Sequence, residues 1–465
     1  MNTTDFSTLN LKPNLLKNLN SLGYESMTPI QALSLPVILS GKDVIGQGKT
    51  GSGKTAAFGL GLLQKLDVKS FKAQSIVLCP TRELADQVAS EIRKLARAIH
   101  NIKVLTLCGG TPFGPQIGSL AHGVHIVVGT PGRIEEHLRK NTLKLDNITT
   151  LVLDEADRML DMGFEEAIDK VVEKIPNNRQ TLLFSATYPD EISDIAQRVM
   201  QNPETVAAPI EEEASTITQY FYKTDTDDER IKALRLLLAK HKPNATLVFC
   251  NTKNDTQDVA DELAYYGFYA TAIHGDLDQR ERDQALIRFS NNSVSILVAT
   301  DVAARGLDID ALDMVINFNV AHDPEIHVHR IGRTGRAGRS GIACTLYNDR
   351  EMRKLDAINE QMNTDIDFVQ FSDELPSDAY LDKPIKKPSM TTIKIDGGKK
   401  QKVRAGDIVG ALTGKGGIRG DQIGKINVVS NWSYVAVDTS VVKLALKKIQ
   451  NDKIKGKTFR ARIQT

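Results

Sequence analysis

Short apolar runs alternate with longer stretches of helical period from about residue 40 to residue 345. The runs are DVIG, SIVLC, VLTLC, HIVVG, TLVLD and TLLFSAT, then TLVFC, YATAIHG, VSILVATD, MVINF and IACTLY. Runs rich in Val, Ile and Leu, without polar alternation, are what a parallel sheet covered on both faces requires. Strand and helix alternating twice over predict two tandem α/β domains. The seam is expected between 207 and 217, inside NPETVAAPIEEEASTIT, which is polar, acidic and poorly periodic. The first domain is therefore expected over 1–207 and the second over 217–365. TLVFC reads as the first strand of the second half, and the polar segment NTK follows it.

A second loosening at 366–388 brings three prolines and mixed charge, and predicts a linker. Beyond it, over 389–465, the period changes. TTIKI alternates, RAGDIVGALTG and SVVKLALKKI read as helices, and INVVSNWSYVAV and TFRARIQ read as strands. Val442, Ala445, Leu446 and Ile449 recur at i, i+3, i+4 and i+7, one apolar helix face. The order strand-helix-strand-strand-helix-strand is a split βαβ arrangement, a small α+β domain.

Charge changes this picture more than composition does. The net charge of the 465 residues is +1. From Lys383 onward, however, 19 lysines and arginines face 5 aspartates, while the preceding 382 residues hold 40 basic against 53 acidic side chains. A basic block on an acidic body suggests an appendage for a polyanion. No stretch approaches the ~20 apolar residues of a membrane span, and no basic-then-apolar leader opens the chain. The four cysteines are scattered with no C-x-x-C pair, so neither zinc nor a disulfide framework is expected. Cys79 and Cys250 end apolar runs and read as core residues. A cytoplasmic monomer is expected.

The chemistry starts at Gly48, Lys49, Thr50, Gly51, Ser52, Gly53, Lys54 and Thr55, which fit G-x-x-x-x-G-K-[ST] between a strand and a helix. Glycines let backbone N–H groups face phosphates, Lys54 reaches the β and γ phosphates, and the Thr55 hydroxyl suits Mg²⁺. ATP and Mg²⁺ are the expected cofactors. Asp154 and Glu155 end the strand TLVLD on the sheet edge where such a loop sits. Asp154 suits the metal, and Glu155 suits positioning or deprotonating water.

Asp154–Asp157 spells DEAD, and from about residue 6 to 345 the chain resembles the DEAD-box RNA helicases. TPIQ (Thr28 to Gln31) resembles their Q motif, with Phe6 as its upstream aromatic. PTRELA (with Thr81 and Arg82), the glycine pair ending at Gly110, and TPGR (Thr130 to Arg133) resemble the RNA-contacting motifs of the first domain. SAT (Ser185 to Thr187) resembles the motif coupling hydrolysis to strand separation. VFCNTK, HGDLDQRER (with Gly275), ATDVAARGLD (with Thr300 and Asp308) and HRIGRTGR (with His329, Arg333 and Arg336) resemble those of the second. The resemblance implies two RecA-like domains and ATP-dependent, local, non-processive unwinding of RNA.

It further implies that Arg333 and Arg336 act as arginine fingers, that Asp308 contacts ribose, and that His329 helps couple the two activities. Gln31 can bond both the N6 and N7 edges of adenine, which favours ATP. Phe6 suits either stacking on the base or anchoring to the core. The family usually has Ala where Gly48 stands.

The basic C-terminal domain suggests an RNA-recognition-motif-like fold, but the aromatic signature K/R-G-F/Y-G/A-F-V-x-F/Y is absent. Ile393 and Ile395 stand where a stacking aromatic is expected. Its segments IDGGKK, GDIVGALTG, IGKI, YVAV and KIKGKT resemble the C-terminal domain of one bacterial subfamily of these helicases. In that subfamily the domain binds a hairpin of 23S ribosomal RNA and targets the motor to the assembling large (50S) subunit. The candidate RNA contacts are Lys399, Lys400, Lys402, Arg404, Lys415, Arg419, Lys453, Lys455 and Lys457, with Trp432 and Tyr434 open between core and base contact. An ATP-gated RNA clamp and a DNA helicase stand as alternatives. The hydrolysis residues argue against the first and the RNA module against the second.

Overall fold

The computed structural model describes residues 4–48, 51–185, 188, 190–208, 217–304, 312–335, 340–362, 368–370 and 378–464. The chain falls into two compact units divided after residue 212. In the first, β1 (Val44–Gln47), β2 (Ser75–Leu78), β3 (Val104–Leu107), β4 (Ile126–Gly129), β5 (Thr150–Asp154), β6 (Gln180–Ser185) and β7 (Glu204–Ala207) form one sheet. Its order is β3-β4-β2-β5-β6-β1-β7, and every pairing is parallel. Successive side chains enter opposite cores: Ile76, Leu78, Leu151 and Leu153 one, Val77 and Val152 the other. Two covered faces are why these runs are apolar at every position.

The second unit repeats that winding. β8 (Ile217–Lys223), β9 (Thr246–Cys250), β10 (Ala270–Ile273), β11 (Ile296–Thr300), β12 (Met314–Asn317), β13 (Gly341–Tyr347) and β14 (Phe368–Gln370) pair in the order β10-β11-β9-β12-β13-β8-β14. Counted from its own first strand, each sheet has the same strand order. One expectation is corrected here. TLVFC is the second strand of its sheet, β9, and the first is β8. Its sequence, ITQYFYK, mixes polar and aromatic residues along a half-exposed strand, so it carries no apolar run. Phe368–Gln370, inside the stretch expected to be linker, pairs with β8 at the sheet edge.

The same unit holds the small α+β domain, with β15 (Met390–Ile395), β16 (Ile423–Val428), β17 (Ser433–Asp438) and β18 (Ala461–Ile463) in the antiparallel order β16-β17-β15-β18. The helices Ala405–Thr413 and Val442–Asn451 supply Ile408, Leu412, Ala445 and Ile449 to its core. Ile393 and Ile395 belong to that core, which corrects their reading as positions on the stacking face. Strand alternation turns Thr392 and Lys394 outward instead.

That outward face is covered. Asn291 Nδ2 and Ser293 Oγ, just past the helix Gln279–Ser290, meet Thr392 Oγ1 at 3.1 and 2.6 Å. The Arg280 guanidinium lies 4.9 Å from the Trp432 ring centre, and Lys394 Nζ lies 4.7 Å from it and 5.8 Å from that of Tyr434. Lys394 is 1% exposed, and burial lowers its pKa.

Candidate ATP and RNA site

Two neighbouring groups of loops leave the carboxyl edge of the first sheet. One group follows β1, β5 and β6. Register places Gln47 beside Ser185 and Asp154 beside Phe184, so β1 and β5 flank β6, roughly 10 Å apart. The glycine loop leaves β1 and ends at the helix Lys54–Lys65. Gly51 and Gly53 have φ of 85° and 94°, a region that favours glycine. A Cβ on Gly53 would lie 2.4 Å from Gln31 Nε2.

The TPIQ segment is the reason for that tight fit. Thr28 Oγ1 donates to Ser52 O at 2.7 Å, and Gln31 Nε2 donates to Gly53 O at 3.0 Å. Thr28 N donates to Gln31 Oε1 at 3.0 Å, so Gln31 keeps one N–H and one lone pair for further bonding. Sequence reasoning gave Gln31 only a base-reading role; the structure adds this brace on the phosphate loop. Phe6 is buried in the core, edge-on to Tyr24. That is the anchoring alternative.

Lys54 Nζ donates to Gly48 O at 2.7 Å. Asp154 is buried, and desolvation pushes its carboxyl up to about 7, against the opposing pull of Lys54. Glu155 adopts φ 54° and ψ 55°, a left-handed conformation costly for a residue with a Cβ. It forms a 3.5 Å ion pair with Arg158. Among the described residues Ser52 Oγ and Ser185 Oγ are buried without a hydrogen-bond partner, and Glu155 Oε2 has only the ion pair with Arg158. Buried hydroxyls with bonding capacity to spare at one sheet edge suit a polar ligand, and a phosphate group with its cation fits them. Among the described residues no three ligating side chains converge on one point. Thr55 and Asp154 are the residues here whose oxygens would suit a divalent ion brought in with the phosphates. Lys49, Thr50, Thr187, Asp308 and Arg336 lie outside the described residues.

The second group follows β2, β3 and β4. Thr81 caps the helix Arg82–Leu95 by accepting from Leu84 N at 3.2 Å. Gly110, with φ 71°, follows β3, and Thr130 and Arg133 follow β4. Arg133 Nη1 donates to Thr111 O at 3.0 Å, tying the last two loops together. All three loops are short and present small polar groups, the kind that contact phosphate and 2′-OH.

In the second sheet the corresponding loops follow β9, β10 and β11 and carry Asn251, Gly275 and Thr300. Sequence reasoning missed Arg330, which lies within HRIGRTGR on the helix Pro324–Ile331. It is 1% exposed. Its Nε and Nη2 donate to the two Asp301 oxygens at 2.7 Å each, Nη2 also to Asn251 Oδ1 at 2.7 Å, and Nη1 to Asn319 O at 2.8 Å. One guanidinium thus joins three of the second domain's motif segments. His329 is half-buried, and Arg333 lies buried just past the helix end.

All nine candidate cations of the small domain are exposed. Lys455 Nζ donates to Lys402 O at 3.0 Å, which brings the 399–404 and 453–457 segments together. Arg419 is gripped by Asp421 through two bonds of 3.0 and 3.1 Å, a neutralising pair that a charge count overlooks. Tyr434 is buried and Trp432 engaged by Arg280 and Lys394, so both serve contacts within the chain.

Three family models match in order: the DEAD/DEAH box helicase over residues 28–195, the helicase conserved C-terminal domain over 229–338, and the DbpA RNA binding domain over 392–463. The ATP-dependent RNA helicase DbpA of Escherichia coli is 54% identical over 461 residues, 99% of each chain. The DEAD-box ATP-dependent RNA helicase CshA of Bacillus subtilis is 45% identical over 79% of this chain and 74% of its own. Among solved structures, Saccharomyces cerevisiae Dbp5 bound to RNA and ADP BeF3 superposes with a TM-score of 0.73. It is 29% identical and covers 80% of this chain and 96% of its own. Mss116p bound to ssRNA and AMP-PNP gives 0.71 at 26% identity, over 80% and 78%. The chain belongs to the DEAD-box helicases, as an ATP-dependent RNA helicase of the DbpA type with a DbpA RNA-binding domain at its C-terminal end.

Proposed function

We propose that this helicase is targeted to 23S ribosomal RNA by its C-terminal domain and acts in the cytoplasm during assembly of the large ribosomal subunit. The observation that carries the targeting is the union of two basic loops, 399–404 and 453–457, through the Lys455 bond to Lys402. With the sheet face of that domain occupied, these loops and the exposed Lys415 leave a cationic surface for phosphates. Arg404 and Arg419 lie on the same domain, Arg419 with its charge partly committed to Asp421.

In the motor, ATP binds at the glycine loop with Lys54 on its phosphates and the Gln31 amide on adenine. Thr55 and Asp154 are the residues that would hold a Mg²⁺ ion, which would neutralise charge at the phosphates. Glu155, buried and aimed by its left-handed backbone, orients or deprotonates the attacking water. Arg333 and Arg336 supply positive charge to the transition state when the two domains close, Asp308 meets the ribose, and Ser185, Thr187 and His329 couple hydrolysis to the RNA grip. Thr81, Arg82, Gly110, Thr130 and Arg133, with Gly275 and Thr300 in the second domain, hold the backbone of one strand. Closure bends that strand and opens a short duplex locally.

The test is ATPase rate against a panel of RNAs of equal length, with and without the 23S hairpin. Selective stimulation by hairpin-bearing RNA is expected. Equal stimulation by unrelated RNA sinks the targeting claim.

A further inference from the structure

Behind the RNA-side loops of the first domain lies a polar network whose centre, Gln116 and His137, is buried, with Thr111, Arg133 and Thr142 partly exposed around it. It starts at Gln116 on the helix Phe113–Ala121. Gln116 Nε2 donates to Cys108 O at 3.1 Å and to Thr111 Oγ1 at 2.6 Å, which ties down both ends of the loop holding Gly109 and Gly110. Gln116 Oε1 accepts from Arg133 Nη1 at 3.1 Å and meets His137 Nε2 at 2.8 Å. All four bonding positions of the amide are then filled.

This arrangement determines the state of the histidine. Because both amide hydrogens of Gln116 are committed, its oxygen faces His137, so Nε2 carries a proton and donates. His137 Nδ1 meets Thr142 Oγ1 at 2.8 Å, and the same hydroxyl lies 3.1 Å from His137 O, so Thr142 holds the ring and its backbone together. Burial first, then the nearby Arg133 charge, lowers the pKa of His137 and keeps the ring neutral. The ring is 0% exposed and stacks on Phe113 at 4.2 Å with an interplanar angle of 19°.

We propose that His137 is a positioning residue for RNA binding: its Nε2–H fixes the Gln116 amide, which locks the Gly109–Thr111 loop to Arg133 as one rigid grip. The inference rests on the reading that Gly110 and Arg133 contact RNA. Without that donor, a buried lone pair of Gln116 is unsatisfied, and the amide no longer holds both loops.

The experiment measures, in the full chain, the RNA concentration for half-maximal ATPase together with the KM for ATP. His137→Phe keeps the stacked ring and removes both nitrogens. It raises the RNA half-saturation about tenfold, the scale of one lost buried hydrogen bond, and leaves the ATP KM unchanged. His137→Gln, whose amide nitrogen can reach the place of Nε2, returns the value to within about twofold of the parent. Thr142→Val, outside the stacked core, raises it by about threefold by freeing the ring orientation.

Equal RNA half-saturation in the parent and Thr142→Val overturns the proposal, including when His137→Phe fails to fold. So does a parallel rise in ATP KM, which marks general damage. Arg133→Ala separates the two levels. If it raises the RNA half-saturation while the His137 and Thr142 variants do not, only the positioning claim falls. If it changes nothing, the RNA reading of this edge falls, and the positioning claim with it.

Discussion

The two parallel-sheet domains share one strand order but load it differently. In both, the loops after the second, third and fourth strands are short and polar. After the first strand they diverge. In the first domain β1 leads into the glycine loop and an uncapped helix whose N–H groups suit an anion. In the second, β8 leads into the helix Asp227–His241. Thr226 and Glu229 cap that helix reciprocally, and Asp227, Asp228 and Glu229 crowd its first turn. Its positive end is already satisfied by the chain's own carboxylates. After the fifth strand the first domain presents Asp154 and Glu155. The second presents Asn317, buried and bonded to Thr345 at 3.0 Å. On the proposed assignment of the site residues, one winding carries the RNA edge twice and the nucleotide edge once.

The largest expected effect tests the loaded edge. Glu155→Gln keeps ATP and RNA binding but lowers turnover by about 10²–10⁴-fold, read by single-turnover hydrolysis. Ordinary turnover removes Glu155 from the chemistry. In the second domain the matching test is stability, because Arg330 is a rivet. Arg330→Met leaves the partly buried Asp301 without its partner and costs up to about 3–5 kcal/mol, read by thermal or denaturant unfolding. A change below about 0.5 kcal/mol, the scale of an ordinary surface substitution, contradicts that role.

Asp154 gives the pH signature. Its raised carboxyl keeps a proton that the unfolded chain has lost, so its stabilising contribution is present at acid pH and fades as pH rises from about 4 through about 7. The metal-holding form is the ionised one. Affinity for ATP with Mg²⁺ therefore weakens as pH falls below about 7, and Asp154→Asn flattens that dependence. A flat profile in the parent refutes it.

Smaller again is the charge test of the appended domain. Lys399→Ala with Lys400→Ala lowers the slope of log affinity against log salt by roughly 1.4 to 1.8. An unchanged slope puts the RNA on another face. The smallest effect is at Gly48, whose added Cβ would meet Ser52 Oγ at 3.0 Å. Gly48→Ala changes the ATP KM by less than about twofold, because the Ser52 hydroxyl, with no hydrogen-bond partner among the described residues, can rotate away.

Legibility followed burial and locality. β2, β5 and β9 announce themselves because both faces are covered, while β7, β8 and β14 are edge or half-exposed strands whose sequences are too short or too polar to form an apolar run. The glycine loop and the two carboxylates are contiguous, so their chemistry is readable in place. Arg330 reads as one cation in a basic run, and only the fold buries it against Asp301 and Asn251. Gln116 and His137 lie 21 residues apart, and their hydrogen bond depends on two helices meeting. The cover over Thr392 and Lys394 depends on another domain of the same unit, which no local pattern encodes.

The central claim is that two alike sheets supply one nucleotide edge. Equilibrium titration of the full chain with a non-hydrolysable ATP analogue, with Mg²⁺ and RNA present, measures it directly. One analogue bound per chain, abolished by Lys54→Ala, is the predicted result. A second stoichiometric site that survives Lys54→Ala would contradict the account.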